Sequence, residues 1–191
     1  MTLYQQIKEY IPCNQQEEND RKVILNWMEH EQDLFTRNNE IAHFTASSWV
    51  TDLSHQYILM AYHNIYQSWS WLGGHSDGDE DLLHVAQKEI LEESGLQEVH
   101  PLDGKIASIE ILTVDGHIKR GKYVSSHLHI NVTYLFEADM SQSIHKKEDE
   151  NSAVAWFLKE EAVHKSVEPF FVERIYPKLN QRLEEYDQAQ K

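Results

Sequence analysis

Three glutamates, Glu89, Glu92 and Glu93, stand at i, i+3 and i+4 within the stretch GGHSDGDEDLLHVAQKEILEESGL, residues 73–96. On a helix this spacing sets three carboxylates on one face, where like charges repel. Their place near the helix's C-terminal, negative end adds to the cost. A divalent cation turns the same arrangement into a binding site, and hard oxygen donors that leave room for water suit magnesium or manganese better than zinc. Leu83, Ala86 and Ile90 mark an adjacent apolar stripe, so the acidic face borders the core. Considered alone, an E-x-x-E-E run is more often a solvated acidic face. An EF-hand is the competing motif, because Asp77, Asp79 and Asp81 occupy its first three ligand positions. It fails twice, at Leu82 where the loop requires glycine and at Lys88 where it requires a bidentate glutamate.

The surroundings of the glutamates decide between these readings. The stretch resembles the signature of the Nudix hydrolases, G-x5-E-x7-R-E-U-x-E-E-x-G-U with U a bulky aliphatic. Gly74, Glu80, Glu89, Ile90, Glu92, Glu93, Gly95 and Leu96 fall at every required spacing, and Lys88 replaces the arginine. The resemblance implies an α/β/α sandwich in which strand, loop and helix carry the signature. It implies Glu89, Glu92 and Glu93 as metal ligands with the Gly73 carbonyl as a further oxygen. Gly74, Glu80 and Lys88 would be supporting residues, with Glu80 a structural acid at the loop-to-helix turn. The implied cofactor is Mg2+ or Mn2+, and the implied reaction is hydrolysis of a diphosphate linkage in a nucleoside diphosphate derivative or related organic pyrophosphate. Glu89 is one candidate for the general base. In several family members the base comes from a later loop, and Glu150, in the run KKEDE, is the matching candidate, although such a run is more often a solvated loop. Lysine at 88 offers a point charge where arginine offers a rigid fork, yet it can still reach Glu92. The resemblance is sharp over 73–96 and extends over roughly 41–165.

The implied partner is a small phosphorylated metabolite. Marks of substrate subfamilies are missing: Ile111 stands where ADP-ribose enzymes tend to carry proline, and Leu112 and Thr113 stand near where dinucleoside polyphosphate enzymes tend to carry tyrosine. Two other readings stay open, a non-catalytic metabolite-binding regulator of the same fold and an isoprenoid-diphosphate isomerase. The isomerase is disfavoured because such enzymes use a cysteine within the fold, whereas the sole cysteine here, Cys13, lies in the N-terminal segment. A purely structural interaction protein would have no reason to keep so costly an acidic cluster.

Twelve histidines also invite a metal hypothesis. His127 and His129, at i and i+2 on a strand, share a face and are either ligands, substrate contacts or partly exposed sheet residues. His75, directly after Gly73-Gly74, points near the metal loop; His43 and His63 receive no assignment. Trp69 and Trp71 alternate onto one face, Trp71 being a candidate for stacking on a base and packing the commoner use. Lys119, Arg120 and Lys122, in HIKRGK, either hold a terminal phosphate or form an ordinary turn.

Hydropathy periods give the elements that must position these groups. Residues 3–11 and 17–35 read as amphipathic helices, the second with Val23, Ile24, Trp27, Met28, Leu34 and Phe35 on its apolar side. Strands are expected at 44–51, 57–62, 69–72, 106–114 and 126–137 and around Val154–Phe157. A helix is expected over 81–94, stopped by Gly95, and a closing helix over 169–186 that Pro177 must kink or split. The fold class is therefore α/β (α+β), a mixed sheet flanked by helices, with an N-terminal helical extension over 1–40, a catalytic domain over 41–191, and a C-terminal helix. The extension is expected to cap the sheet, cover the substrate or mediate a homodimer.

The chain's 191 residues suit one domain, and its net charge of −15 works against broad nucleic-acid binding. One cysteine excludes an internal disulfide framework. With no secretory signal or membrane span in sight, a soluble cytoplasmic protein is expected.

Overall fold

A computed structural model of the chain describes residues 1–119, 121–147 and 150–191. The elements run α1 (Leu3–Glu9), α2 (Gln15–His30), β1 (Ala42–Asp52), β2 (Tyr57–His63), β3 (Ser68–Ser70), β4 (Leu72–His75), α3 (Leu82–Ser94), β5 (His100–Val114), β6 (His117–Lys119), β7 (Lys122–Val124), β8 (His127–Ala138), β9 (Asn151–Leu158), α4 (Lys159–Val163) and α5 (Tyr176–Ala189). Among the described residues, seven strands form one mixed sheet in the order β3-β2-β1-β8-β5, with β4 also paired to β1 and β9 to β2. Strands β1 and β8 are parallel and lie at its centre, in register from Ala42 opposite Leu128 to Asp52 opposite Ala138. Every residue of β1 is buried, as a central strand covered on both faces requires.

The two faces have separate cores. Phe44, Ala46, Val50, Ile130, Val132 and Phe136 share a core with Leu82, Val85, Ala86 and Ile90 of α3. On the other face Trp49, Ile58 and Met60 pack with Tyr176, Leu179 and Leu183 of α5. This is the expected arrangement of a mixed sheet between helices, with helical N- and C-terminal segments.

The N-terminal helices seal a sheet edge. Strand β5 is the last in its row, and an edge leaves unpaired backbone groups. Here the Tyr10 hydroxyl donates to the Ala107 carbonyl (3.2 Å), Gln16 Nε2 donates to the Ile109 carbonyl (3.3 Å), and the Ile111 N–H donates to Asp20 Oδ2 (3.1 Å). Helix α2 ends at His30, short of the expected residue 35, because Glu31 turns extended and Asp33 takes a positive φ of 58°. Leu34 is still buried, and its carbonyl accepts the Phe44 N–H. Val23, expected on the apolar side, is 40% exposed.

Two further departures have clear causes. The single strand expected at 69–72 is two strands: β3 pairs with β2 and β4 with β1, so the chain changes partner at Trp71. The closing helix does open at Pro169, and it meets Pro177 by widening into a π-helical turn over Phe171–Ile175. The Tyr176 N–H reaches back five residues to the Phe171 carbonyl, which relieves the register just before a residue that cannot donate.

A buried polar seam crosses the α5 side of the sheet. Lys178 Nζ lies 2.8 Å from Glu17 and 2.7 Å from Glu110, both fully buried. Asn131 Nδ2 donates to Glu110 (3.1 Å), while Asn131 Oδ1 accepts from Thr45 (3.0 Å) and Ser47 (2.8 Å). The seam links α2, β5, β8, β1 and α5. Among the described residues no helix is long and apolar enough to cross a membrane.

Candidate active site

Helix α3 is placed at both ends by local chemistry. Asp81 caps its start by accepting the His84 N–H at 3.2 Å, and Gly95 ends it in the left-handed region at φ 72°. A Cβ at Gly95 would also meet the His145 ring at 2.0 Å. Glu80, the expected structural acid, lies exposed in the loop just before the helix, and the capping there falls to Asp81.

The three glutamates share the helix face toward β4 but differ in environment. Glu93 is only 5% exposed, and its carboxylate accepts the Gly73 N–H at 3.0 Å. Burial pushes its pKa up to about 8, against the Gly73 hydrogen bond and with help from the charge of Glu89. Burial likewise holds Glu89 above the usual carboxylate range, opposed by Lys88 and reinforced by Glu92. Glu92 is the open one, with 42% of its side chain exposed. Gly74 lies directly under Glu89: a Cβ there would sit 2.5 Å from the carboxyl carbon. Gly74 thus lets the sheet backbone approach Glu89, whereas Gly73 offers Glu93 its N–H and is itself packed closely on Ala46 and Ser47 of β1.

Cations gather around this face. Lys88 Nζ stands 3.7 Å from Glu92 and 3.9 Å from Glu89, the i+4 reach expected of it. Lys147, not singled out from the sequence, bridges Glu92 (3.3 Å) and Glu150 (2.9 Å). Burial would lower its pKa, but Glu150 and Glu92 hold it above the usual lysine range. Its N–H donates to Asn151 Oδ1 (2.9 Å), and Asn151 Nδ2 donates to the Glu93 carbonyl (3.2 Å), so a buried asparagine ties this loop to α3. Glu150 therefore reaches the cluster through Lys147; its neighbours Glu148 and Asp149 lie outside the described residues. Arg37 is a second cation that sequence reading passed over. It forms a two-point ion pair with Asp77 in the loop between β4 and α3, one arm being Nε to Oδ1 at 2.7 Å. The Phe35 carbonyl accepts from Gly78 N–H and Ser76 Oγ, both at 2.7 Å, so the segment after α2 braces that loop.

The donor set fits a hard divalent cation. It is all oxygen, two of the carboxylates are desolvated and carry like charge, and lysine ammoniums already stand within 4 Å of it.

The remaining candidates lie elsewhere. Trp71 packs edge-to-face on Phe171 (5.3 Å) and Tyr176 (5.9 Å), and Trp69 packs on Phe157 (4.8 Å), which places both within the α5-side core. His75, His127 and His129 come together with His43 on the sheet face opposite α3. The side-chain position of Gly74 faces Glu89, so its neighbour His75 faces away. Arg120 lies outside the described residues, as does the side chain of Lys119; Lys122 is exposed in the β6–β7 hairpin. Cys13 lies in the turn between α1 and α2, where its N–H donates to Glu17. Burial, followed by Glu17, pushes its thiol up to about 11.

Residues 41–179 match the family model of the NUDIX domain. No curated protein sequence matches the chain. Among solved structures, the chain is similar to a NUDIX-family hydrolase from Clostridium perfringens, with a TM-score of 0.52 and 20% identity over 73% of this chain and 97% of that one. It is also similar to an Ap4A hydrolase from C. elegans, with a TM-score of 0.51 and 15% identity over 76% of this chain and 98% of that one. A third is the dihydroneopterin triphosphate pyrophosphohydrolase of E. coli, with a TM-score of 0.51 and 12% identity over 70% and 92% of the two chains. At these identities the likeness is one of fold.

Proposed function

The chain belongs to the NUDIX-domain family, and on that premise we propose that it is a divalent-metal-dependent hydrolase that cleaves a diphosphate linkage in a nucleoside diphosphate derivative or related organic pyrophosphate. The observation that carries this reading is the triad Glu89, Glu92 and Glu93 on one helix, with Glu89 packed against Gly74 and Glu93 accepting the Gly73 N–H. These three carboxylates, with the Gly73 carbonyl, would hold Mg2+ or Mn2+. Such an ion supplies charge neutralisation at the phosphate oxygens and a lowered pKa for the attacking water. Glu89, sheltered and raised in pKa, is suited to accept that water's proton. Glu150 is the alternative acceptor, and Lys147, which it shares with Glu92, would then have to move toward the substrate's phosphates. Lys88 and Arg37 add positive charge at the rim. A small phosphorylated metabolite is the partner in this reading, and two of the similar structures are enzymes named for nucleotide-like polyphosphates.

The regulator reading differs in one measurable respect. A panel of nucleotide sugars, dinucleotides, nucleoside triphosphates and ADP-ribose, assayed for phosphate with and without added phosphatase at mildly alkaline pH, should show cleavage that depends on Mg2+ or Mn2+. Silence across the panel from a protein that still binds the metal through Glu92 and Glu93 would favour the regulator.

Gly74→Ala is the sharpest local probe. The new methyl would overlap the Glu89 carboxyl, the far end of a flexible side chain, so the glutamate should swing aside while the sheet stays intact. Metal-dependent turnover should fall by about 100-fold, the scale of a one-ångström misplacement at a reacting centre. The melting temperature should hardly move, and a variant with native turnover would remove Glu89 from the chemistry.

A further inference from the structure

Four histidines converge on the sheet face that α3 does not cover. His43 on β1 and His129 on β8 are register partners, and His127 is two residues earlier on the same strand. His75 on β4 lies opposite Thr45, two residues beyond His43. The two-residue period of a strand turns all four toward one side. The His43 ring centre is 5.2 Å from His75, 5.0 Å from His127 and 5.2 Å from His129, and His75 and His129 are 4.8 Å apart. Taking one ring nitrogen from each, the four lie within 4.8 Å of one another.

Hydrogen bonding on the outer side fixes what two of these rings present. His43 Nδ1 lies 2.9 Å from the Asn39 carbonyl, and His127 Nδ1 lies 2.8 Å from the Ser125 carbonyl. A carbonyl only accepts, so each Nδ1 carries the hydrogen and each Nε2 offers a lone pair. Backbone carbonyls hold metal-binding imidazoles in this way. His43 is only 4% exposed, and its Nε2 is a buried atom with no hydrogen-bond partner among the described residues. Leaving such a group unsatisfied costs roughly 1–3 kcal/mol. His127 Nε2 in turn faces His129 Nε2 at 3.2 Å.

We propose that His43, His75, His127 and His129 bind one transition-metal ion of the zinc class, at a site separate from the acidic cluster on α3. An all-imidazole donor set selects zinc, cobalt, nickel or copper over magnesium. Zinc–nitrogen bonds of 2.0–2.1 Å put tetrahedral ligand atoms about 3.3 Å apart. The His127–His129 pair stands at that separation already, and rotation of the side chains closes the rest from at most 4.8 Å. Four protein ligands leave no open coordination position, which is the pattern of a structural site. The ion would clamp β1, β4 and β8 at the end of the sheet from which the loop to α3 departs. The site does not depend on the hydrolase reading.

The test uses the full-length chain without a histidine tag, stripped with a chelator and titrated with Zn2+ against a chromophoric competitor. One equivalent should bind tightly, and Co2+ in its place should give the visible bands of a four-coordinate ion. His127→Gln, at a half-exposed position where folding is expected to survive, should weaken Zn2+ binding on the order of 100-fold or more. Zn2+ should raise the melting temperature of the native chain but not of this variant. The Glu92→Gln/Glu93→Gln pair should retain the zinc equivalent. The proposal is overturned if the native chain takes up no stoichiometric zinc, if His127→Gln binds it equally well, or if only the glutamate variants lose it.

Discussion

Glu93→Gln should lower metal-dependent turnover by roughly 100- to 1,000-fold, the range for losing one preorganised electrostatic contact, while making the metal-free protein more stable at alkaline pH. The two effects share one cause. Burial raises the Glu93 pKa to about 8, whereas an unfolded chain releases that proton near the ordinary glutamate value of about 4.3. Between those limits the folded state holds a proton that the unfolded state has lost, so metal-free stability falls as pH rises through the window. Glutamine has no proton to lose and can still accept the Gly73 N–H. The variant's advantage in melting temperature should therefore be absent in acid, grow between these two pKa values, and level off above about pH 8. Binding of the cation reverses the balance, because it requires the ionised carboxylate; metal affinity of the native chain should climb with pH over the same interval. Thermal melts across this range in chelator, paired with turnover in Mg2+, measure both. A melting difference that does not change with pH would show that Glu93 is not desolvated as described, and native turnover in the variant would take it out of the metal site.

The carboxylates were legible in the sequence because a helix converts spacing into geometry without outside help. Residues at i, i+3 and i+4 share a face wherever the helix goes, whereas the part played by Gly73 and Gly74 entered only as what the family resemblance implies. The flanking cations were not legible. Lys147 lies 55 positions from Glu92, and Arg37 lies 40 from Asp77, so each pairing exists only once a loop has folded back. Histidine shows the same divide inside one cluster. His127 and His129 declare a shared face by their two-residue spacing, but His43 joins them through the register of a parallel strand pair, which no local pattern encodes. The extension's task was hidden for a different reason. Its apolar periodicity, Tyr10 included, announces helices, while Gln16 and Asp20, which with the Tyr10 hydroxyl finish the bonding of β5, look like ordinary surface residues until the edge strand is known.

The same helices set up the largest expected change in stability, at a residue with no part in the chemistry. Lys178→Met should destabilise the fold by about 3–5 kcal/mol, since it strips fully buried Glu110 of β5 of its cation and leaves fully buried Glu17 of α2 with only the more distant Arg182, at 3.7 Å. Burial alone would push Glu17 up, but the Lys178 ammonium and the Cys13 N–H outweigh it and hold its pKa below the usual range. A depressed carboxylate stabilises the fold above its unfolded pKa, and that contribution disappears as pH falls through the folded value. The penalty of Lys178→Met should thus be full at neutral pH and shrink in acid, where the stranded carboxylates are protonated. Adding Glu17→Gln and Glu110→Gln to Lys178→Met should recover much of the loss, because neutral amides can share the hydrogen bonds of Ser108 and Asn131 without a buried charge. Denaturant melts of the single and triple variants near neutral pH and in mild acid decide the matter. A single variant within about 1 kcal/mol of the native chain would mean that water reaches the seam and that the three charges are not the lock between α2, β5 and α5.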